Sequence, residues 1–167
     1  MILYLYGLPA VGKNFIGEII KEKYNFHFED ADHWLPQNMK IKLRNNEHFT
    51  IEEVANYHEI IAQKIFELKS KHENLVISQA SLFIEHREKI KKINPEVKFI
   101  LVSADLETML ERIDQRKGLV TKDYAIHLQK YLQISQNDNI INNNKDQTKE
   151  TIIEQIEKFI LSKLDFR

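Results

Sequence analysis

Residues 2–17 constrain what this chain can fold into more strongly than any other stretch. The run Ile2–Tyr6 is short, apolar and rich in aromatic residues, which is typical of a buried strand. Gly7, Gly12 and Lys13 follow with the spacing G-x-x-x-x-G-K of a phosphate-binding loop that opens into a helix. In such a loop, backbone N–H groups converge on phosphate oxygens and the lysine adds a positive charge. The stretch therefore predicts a nucleotide site between the first strand and the first helix.

Glycine and asparagine refine this prediction. Three of the four glycines in the chain fall in residues 2–17, and the third of them, Gly17, would lie inside the helix. Glycine costs about 1 kcal/mol relative to alanine there, so its presence predicts close packing against the sheet. The position that usually carries a Ser or Thr, whose hydroxyl binds Mg²⁺, is Asn14. An amide oxygen can also bind a hard cation, so Asn14 is a candidate metal ligand with a changed geometry.

Composition limits the class of protein. At 167 residues the chain is long enough for one domain with its own core, predicted to span 1–167. The 24 basic and 25 acidic residues nearly cancel, which gives no electrostatic reason to expect a nucleic-acid or membrane partner. There is no cysteine, so disulfides and thiolate metal sites are excluded. The first strand begins directly at Met1, which leaves no room for a signal peptide, and we expect a cytoplasmic protein.

Apolar runs alternate with amphipathic stretches along the rest of the chain. The predicted strands are 2–6, 24–29, 74–78, 97–102 and 139–141. The predicted helices are 14–23, 36–43, 51–69, 83–93, 105–116, 121–134 and 148–164. Phe15 is predicted on the buried face of the first helix, and Ile51 and His58 on that of the third, which a capping box at Thr50 and Glu53 begins. This alternation predicts a parallel sheet covered by helices on both faces, with ligands at the carboxyl ends of its strands.

Two carboxylates follow the second predicted strand. Asp30 and Asp32 are two residues apart, which would place both side chains on the same side of an extended segment. One carboxylate could hold the shell of a magnesium ion while the other accepts a proton from a substrate hydroxyl. The alternative is a loop that uses aspartate only for its turn chemistry.

Two arginines fall near the end of the fifth predicted helix. Arg112 and Arg116 are one helical turn apart and precede Lys117 and Gly118. Cationic side chains beside a glycine hinge suit a lid that closes over a transferring phosphoryl group. The alternative is a helix end whose positive charge balances the helix dipole.

These motifs resemble the small-molecule P-loop kinases over essentially the full length of the chain. The resemblance is carried by residues 7–17, by the loop after the last strand, and by Asp30-x-Asp32-x-x-x-Pro36, Ser78-x-Ala80-Ser81-Leu82 and Arg112-x-x-x-Arg116-Lys117-Gly118. Within that group the chain is most similar to the gluconate kinase family, with shikimate kinases next. The resemblance implies a three-layer α/β/α fold of the nucleoside-monophosphate-kinase type with a five-stranded parallel sheet, and it is compatible with a homodimeric assembly.

The same resemblance implies ATP- and Mg²⁺-dependent phosphorylation of a hydroxyl on a sugar acid such as gluconate. Lys13 would contact the β- and γ-phosphates, and Arg112 and Arg116 would act in a lid at about 113–125. Asp32 would bind the acceptor hydroxyl, and the metal ligands would be Asn14 and Asp30. The residues expected around the nucleotide are Gly7, Leu8, Pro9, Ala10, Val11, Gly12, Lys13, Asn14, Phe15, Arg112, Asn142 and Asn143.

Two features that hold gluconate in that family are missing here. Residues 50–57 replace an Asp-Arg-x-x-Trp stretch, and Phe83 stands where a Lys or Arg usually follows the Ser-Ala-Leu segment. Arg44 and Arg87 are candidate replacements that would bind the substrate carboxylate as a fork, although Arg87 fits an exposed helix position equally well. Trp34 fits either the substrate pocket or a hydrophobic plug.

Three hypotheses follow from these residues. The first is a sugar-acid kinase in which the helical insert 36–70 binds the acceptor. The second keeps the kinase chemistry but changes the acceptor to shikimate, a nucleoside or another small metabolite. The third is a nucleotide-binding protein that has lost transferase activity, and it is motivated by Asn14 and by the altered acceptor segment.

Overall fold

Five parallel strands form one sheet within the residues that the structure, a computed structural model, describes, namely 1–45, 47–116 and 120–160. The strands are β1 Ile2–Tyr6, β2 His27–Asp30, β3 Leu75–Ser78, β4 Val97–Ser103 and β5 Asn139–Asn142. Their order across the sheet is β2-β3-β1-β4-β5, so β1 lies at the centre. The register pairs Tyr4 of β1 with Ile77 of β3 and with Phe99 of β4. The predicted α/β class with a five-stranded parallel sheet is confirmed.

Helices cover both faces of the sheet, as the alternation of side chains along β1 requires. The helices are α1 Lys13–Tyr24, α2 Gln37–Arg44, α3 Ile51–Lys69, α4 Ile84–Ile93, α5 Leu106–Gln115, α6 Lys122–Leu128 and α7 Lys149–Ile160. Leu3 and Leu5 pack in a core with residues of α1, α5 and α7, whereas Tyr4 and Tyr6 pack in a second core with residues of α3 and α4. Successive strand residues face opposite sides, so β1 contributes to both cores. The three-layer arrangement is confirmed.

Two local predictions are confirmed by side-chain contacts. A Cβ atom at Gly17 would overlap the ring of Phe28 on β2, which explains why glycine stands inside α1. At the start of α3, the Thr50 hydroxyl accepts from the backbone N–H of Glu53 at 3.1 Å, and the Glu53 carboxylate accepts from the backbone N–H of Thr50 at 2.8 Å. This is the predicted capping box, which satisfies two N–H groups that the helix leaves unpaired.

Two apolar side chains predicted to be buried are exposed. Phe15 is 49% exposed because the buried face of α1 is formed by the residues after it, beginning at Ile16. Ile51 is 87% exposed because it is the first residue of α3 and extends beyond the edge of the core, two turns before His58. His58 itself is 3% exposed, so its prediction as a core histidine is confirmed.

Two predicted helices end earlier than expected. Arg116 lies outside α5 with an extended backbone, φ −97° and ψ 131°, so it does not continue the face of Arg112. The helix predicted over 121–134 ends at Leu128 and passes into a 3-10 turn, Gln129–Tyr131. The backbone of Gln133 is instead tied to the β3–α4 loop, where its N–H donates to the carbonyl of Leu82 at 2.9 Å. The predicted hinge at 117–118 and the predicted helix end at 161–164 lie outside the described residues.

None of the helices in the described ranges combines the length and the apolar character that a membrane crossing requires.

Candidate active site

The loop between β1 and α1 has the backbone conformation that its glycines predict. Gly7 and Gly12 have φ values of +142° and +93°, which residues with a Cβ atom rarely adopt. A Cβ at Gly7 would overlap the carbonyl oxygen of Val102, and one at Gly12 would overlap the side-chain amide of Asn143. Both glycines are therefore required by conformation and by space. Gly12 directly precedes α1, so the N-terminal end of that helix faces the loop.

Lys13 is folded back over this loop. Its ammonium group donates to the carbonyl oxygens of Gly7 at 3.0 Å and Leu8 at 2.8 Å. Desolvation lowers the pKa of Lys13 to about 8, although the nearby carboxylates of Asp32 and Asp30 act in the opposite direction. The side chain is therefore protonated at pH 7, and its charge lies beside the amides that would receive phosphate oxygens.

A cavity of about 300 Å³ opens above the loop, and we call it the small cavity. The described residues that line it are Pro9, Ala10, Gly12, Lys13, Asn14, Asp32, Ile113, Arg116 and Val120. It therefore brings Lys13 and Arg116, two cations predicted to act on phosphate, to the same space as the Asp32 carboxylate. The small cavity has the charge and the backbone donors that a polyphosphate requires.

Asp30 and Asp32 do not project from one extended segment, as the sequence predicted. Asp30 ends β2 and caps a 3-10 turn, Ala31–Trp34, in which its carboxylate accepts from the backbone N–H of Asp32 at 3.0 Å. Within this turn Asp32 lines the small cavity, whereas Asp30 is not among the described lining residues and is hydrogen-bonded to Asn14, which is. Desolvation raises the pKa of Asp32, and the neighbouring Asp30 charge adds to this effect, whereas Lys13 opposes it. A carboxylate with a raised pKa is a better proton acceptor.

Asn14 is held between two side chains at the metal-binding position of the loop. Its Oδ1 accepts from the Ser78 hydroxyl at 2.6 Å, and its Nδ2 donates to Asp30 Oδ2 at 2.6 Å. In this arrangement the amide presents a donor toward Asp30, where a Ser or Thr would present an oxygen ligand. The carboxylates of Asp30 and Asp32 are the groups here that suit a hard cation.

The described part of the chain holds no group of three or more His, Asp or Glu side chains arranged to bind a metal. A complete protein cage is not what magnesium uses in phosphoryl-transfer sites, since one or two carboxylates act there together with phosphate oxygens and water. The Asp30 carboxylate fits that requirement, and Asn14 fits it only after its amide is reoriented.

Arg112 stabilises the β1–α1 loop through hydrogen bonds to backbone carbonyl groups. Its guanidinium donates to the carbonyl oxygens of Val11 at 3.2 Å and Asn143 at 2.9 Å. Arg112 is not among the described residues that line the small cavity. Arg116 lies just beyond the end of α5, and its positive charge adds to the effect of desolvation in lowering the pKa of Arg112.

Asn142 and Asn143, predicted near the adenine, end β5 and begin the loop after it. The Asn143 side chain donates to the carbonyl oxygen of Val11 at 2.8 Å, so it supports the same loop as Arg112. The backbone of Asn142 is paired with the Gln155 side chain, which both accepts from and donates to it. Asn143 thus supports the nucleotide loop, whereas Asn142 ties β5 to α7.

A second and larger cavity, of about 510 Å³, adjoins the small one, and we call it the large cavity. Pro9, Asp32 and Val120 line both. The other described lining residues are Leu35, Met39, Lys40, Leu43, Arg44, Phe49, Val54, Tyr57, His58, Gln79, Ala80, Ser81, Leu82, Phe83, His86, Tyr124, Leu128 and Tyr131. Segments from α2 and α3, the β3–α4 loop and α6 therefore surround a space large enough for a small molecule.

Two of the residues predicted to bind substrate lie elsewhere. Arg87 is 3% exposed, so it is not the exposed helix residue that was one alternative, and it is not among the described residues lining the large cavity. Its guanidinium donates to the carbonyl oxygens of Ser81 at 2.8 Å and Gln133 at 2.7 Å and lies 4.0 Å from the centre of the Tyr6 ring. Trp34 is packed against the core on the α3 side, which matches the hydrophobic plug. Arg44 does line the large cavity.

Sequence reasoning missed most of the wall of the large cavity. Gln79, His86, Tyr124 and Tyr131 come from three separate segments and show no common spacing. One signal was available for Gln79 and its neighbours, because they follow β3 directly and therefore lie at the carboxyl edge of the sheet.

The fold and the two joined cavities define an α/β protein with a P-loop nucleotide site beside a small-molecule pocket. A family model described as Shikimate kinase matches residues 9–161. The chain therefore belongs to the shikimate kinase family. This membership makes it a P-loop small-molecule kinase, an ATP-dependent phosphotransferase, and confirms the class that the sequence resembles.

Individual relatives include both of the kinases named by the resemblance. The thermosensitive gluconokinase of Escherichia coli (strain K12) is 27% identical over 114 residues, which are 68% of this chain and 61% of that protein. The shikimate kinase of Persephonella marina (strain DSM 14350 / EX-H1) is 25% identical over 123 residues, 72% of this chain and 73% of that protein. A crystal structure of a gluconokinase from Sinorhizobium meliloti 1021 shares the fold, with a TM-score of 0.78, 18% identity and coverage of 92% and 87%.

Proposed function

We propose that this protein transfers the γ-phosphoryl group of ATP, bound in the small cavity, to a hydroxyl of a small molecule bound in the large cavity. The observation that carries the proposal is the position of Asp32, which lines both cavities at once. A hydroxyl hydrogen-bonded to this carboxylate would face the phosphates held over the loop. Catalysis would then consist mainly of positioning and charge stabilisation, as in other phosphoryl transfers.

The proposed step balances as an in-line displacement. The acceptor oxygen forms a bond to the γ-phosphorus, the bond from that phosphorus to the oxygen bridging the β- and γ-phosphates breaks, and ADP leaves. The hydroxyl proton passes to the Asp32 carboxylate. The raised pKa of Asp32, caused by desolvation and by Asp30, supports its role as the proton acceptor.

The charges around the small cavity support this assignment. Lys13 and the loop amides would bind the β- and γ-phosphates, and Arg116 would neutralise charge that develops on the transferring group. Arg112 would act by holding the loop carbonyls in place. Asp30, together with Asn14 once its amide is reoriented, would hold a bound Mg²⁺, which would offset the charge of the phosphates.

The acceptor that the sequence predicts is a sugar acid such as gluconate. Gluconokinase relatives support it, and so does Arg44, which lines the large cavity and has no hydrogen bond or ion pair within the described ranges. Lys40 lines the same cavity, so a carboxylate could bind between two cations. Shikimate, a nucleoside or another hydroxylated metabolite is the alternative within the same chemistry.

A nucleotide-binding protein without transferase activity is the second candidate. The contacts of Asn14 with Ser78 and Asp30 favour it, since they occupy the groups that a metal would use. This candidate predicts nucleotide binding that does not depend on Mg²⁺ and no phosphoryl transfer to any acceptor.

The experiment that separates these candidates is a coupled ATP-consumption assay across sugar acids, shikimate, polyols and nucleosides, with and without Mg²⁺. We expect consumption that requires both Mg²⁺ and one acceptor. Asp32→Asn should lower that turnover by about 10²- to 10⁴-fold, because it removes the proton acceptor, while the melting temperature and the affinity for an ATP analogue stay unchanged.

Glu59→Gln, at an exposed position of α3, makes the same chemical change away from the cavities and is the control. Full turnover in Asp32→Asn would show that Asp32 is not the proton acceptor. Nucleotide binding with no acceptor-dependent turnover in the wild type would favour the second candidate.

The lid at 113–125, the acceptor insert at 36–70, the homodimer and the cytoplasmic location stay predictions. Residues 117–119 of the predicted lid lie outside the described residues.

A further inference from the structure

The large cavity is lined mainly by apolar and aromatic side chains. Six of them, contributed by four segments of the chain, are Met39, Leu43, Phe49, Leu82, Phe83 and Leu128. Its charged lining residues are Asp32, at the junction with the small cavity, and Lys40 and Arg44 from α2. The lining of the large cavity is therefore mainly apolar, and its charges come from Asp32 and from α2.

One wall of this cavity is built from rings. Phe83 lies edge-on to His86, with ring centres 5.3 Å apart and planes at 71°, and its centre is 5.7 Å from that of Tyr131. His86 in turn stacks on His58 at 4.2 Å with planes 21° apart. Tilted and offset pairs of this kind are the favoured aromatic arrangements, and they offer a further ring both faces and edges to pack against.

Most polar groups on the floor of the cavity already have partners. His58 Nδ1 lies 2.8 Å from the carbonyl oxygen of Val54, and its Nε2 lies 2.9 Å from the Ser81 hydroxyl. The Ser81 hydroxyl is also 2.7 Å from the Tyr4 hydroxyl. His58 and Ser81 are 3% and 2% exposed, so this chain of hydrogen bonds is closed within the protein.

His86 is the exception. It is 5% exposed, and its Nδ1 has no hydrogen-bond partner within the described ranges. Its other nitrogen, Nε2, lies 3.5 Å from the Glu85 carboxylate. The Nδ1 atom is itself closed off from solvent, so it does not face the open cavity and offers no partner to a ligand bound there.

We propose that the acceptor is an aromatic alcohol, a flat ring with a hydroxyl on a short arm. The ring would pack against Phe83 and Tyr131, while the arm would bring its hydroxyl to Asp32. This assignment rests on the proposed kinase function and names the substrate class of the same site.

A sugar acid fits this interior less well. Gluconate carries a hydroxyl on nearly every carbon, and each hydroxyl buried without a partner loses its hydrogen bonds to water. The His58 nitrogens and the Ser81 and Tyr4 hydroxyls are already paired within the protein, and the side chains of Leu82 and Phe83 have no hydrogen-bonding group. A ring with one or two polar edges requires far fewer partners.

The first test uses the wild-type chain with the ATP analogue AMPPNP and Mg²⁺. Pyridoxine and thymidine are the ring probes, and gluconate and shikimate are the non-aromatic probes. Saturation-transfer NMR should detect binding through the ring protons of a ring probe. In the ATP-consumption assay, kcat/KM should be at least about tenfold higher for a ring probe than for either non-aromatic probe.

The second test uses matched phenylalanine variants. Phe83→Ala removes part of the ring wall, and Phe83→Leu keeps its bulk in case the alanine variant does not fold. Phe66→Ala makes the same change at a phenylalanine of α3 that is 51% exposed. Both Phe83 variants should raise KM for the ring probe, Phe83→Ala by about tenfold or more, and Phe66→Ala should leave it unchanged.

Each outcome distinguishes this inference from the proposed function. Higher kcat/KM for gluconate or shikimate, or equal effects of the Phe83 and Phe66 substitutions, would overturn the inference and keep the kinase. Binding of AMPPNP without saturation transfer to either ring probe would also overturn it. Saturation transfer without phosphoryl transfer would support the ring site and contradict the kinase function.

Discussion

Asn14 is the residue at which this site departs most from the pattern of its class. Its amide bridges the Ser78 hydroxyl and the Asp30 carboxylate, both at 2.6 Å. A threonine would be shorter and would release Asp30 while presenting a hydroxyl oxygen to the metal. With asparagine at this position, the Asp30 carboxylate must give up its hydrogen bond to Asn14 before it can bind a metal ion.

We expect Asn14→Thr to increase the apparent affinity for Mg²⁺, because it adds an oxygen ligand and frees Asp30. The measurement is the Mn²⁺ affinity of the AMPPNP complex by electron paramagnetic resonance, together with the Mg²⁺ dependence of turnover. Glu18→Gln, at another exposed position of α1, is the control for nearby disturbance. Weaker metal binding in Asn14→Thr would mean that the amide itself serves as a ligand.

Lys13 gives the site a pH dependence. Burial lowers its pKa to about 8, so the folded protein begins to lose this charge well below the ordinary pKa of 10.5. Bound phosphates favour the charged form, and binding above pH 8 must therefore take up a proton. We expect the affinity for ATP to be flat near pH 7 and to fall as the pH rises through about 8.

Calorimetry in two buffers of different ionisation enthalpy measures this proton uptake directly. At pH 8.5 the apparent binding enthalpy of AMPPNP should differ between the buffers, and the difference should vanish in Lys13→Met. Lys21→Met, at an exposed position of α1, should behave as the wild type. A Lys13→Met variant that keeps the full buffer dependence would contradict the assignment.

At the scale of elements, Arg87 joins parts of the chain that are far apart in sequence. From α4 it reaches the β3–α4 loop through Ser81 and Leu82, the segment after α6 through Gln133, and the ring of Tyr6 on β1. Its guanidinium also lies 3.6 Å from Asp138 Oδ2. The loop that lines the floor of the large cavity is therefore fixed by one buried cation.

We expect Arg87→Met to destabilise the protein by on the order of 3 kcal/mol, because it leaves the carbonyl groups of Ser81 and Gln133 without their donor and removes the cation beside Asp138. Urea unfolding measures this change. Lys89→Met, two residues along α4 at an exposed position, should change the free energy of unfolding by less than about 0.5 kcal/mol. If Arg87→Met had wild-type stability but a raised KM, the result would contradict a structural role and support Arg87 as a substrate ligand.

At the scale of the whole molecule, the nucleotide half of the site was predictable from the sequence. The strand Ile2–Tyr6, the two glycines with positive φ and Lys13 are neighbours in the chain, so their spacing alone fixes their chemistry. The overlap of a Cβ at Gly17 with Phe28 was predictable for the same reason, since glycine inside a helix requires an explanation.

The part of the site proposed to bind the acceptor was not predictable, because its residues are brought together by contacts between segments that are distant in the sequence. The 3-10 turn after β2 redirects Asp32 away from the extended geometry that its spacing to Asp30 suggested. From the sequence, Arg87 fits an exposed helix position among alternating charges. In the structure it is buried by contacts with Tyr6 and Gln133, which are distant in the sequence. The ring wall likewise joins Phe83 of the β3–α4 connection to Tyr131, which no local pattern links.

The measurement that tests the central claim most directly is phosphorus NMR of ATP and Mg²⁺ with the full chain, run once for each acceptor. The account predicts that the γ-phosphorus signal of ATP is replaced by a phosphomonoester signal with at least one acceptor, and that Lys13→Met abolishes this change. Conversion of ATP to inorganic phosphate alone, or no conversion by a protein that binds AMPPNP, would contradict transfer between the two cavities that Asp32 joins.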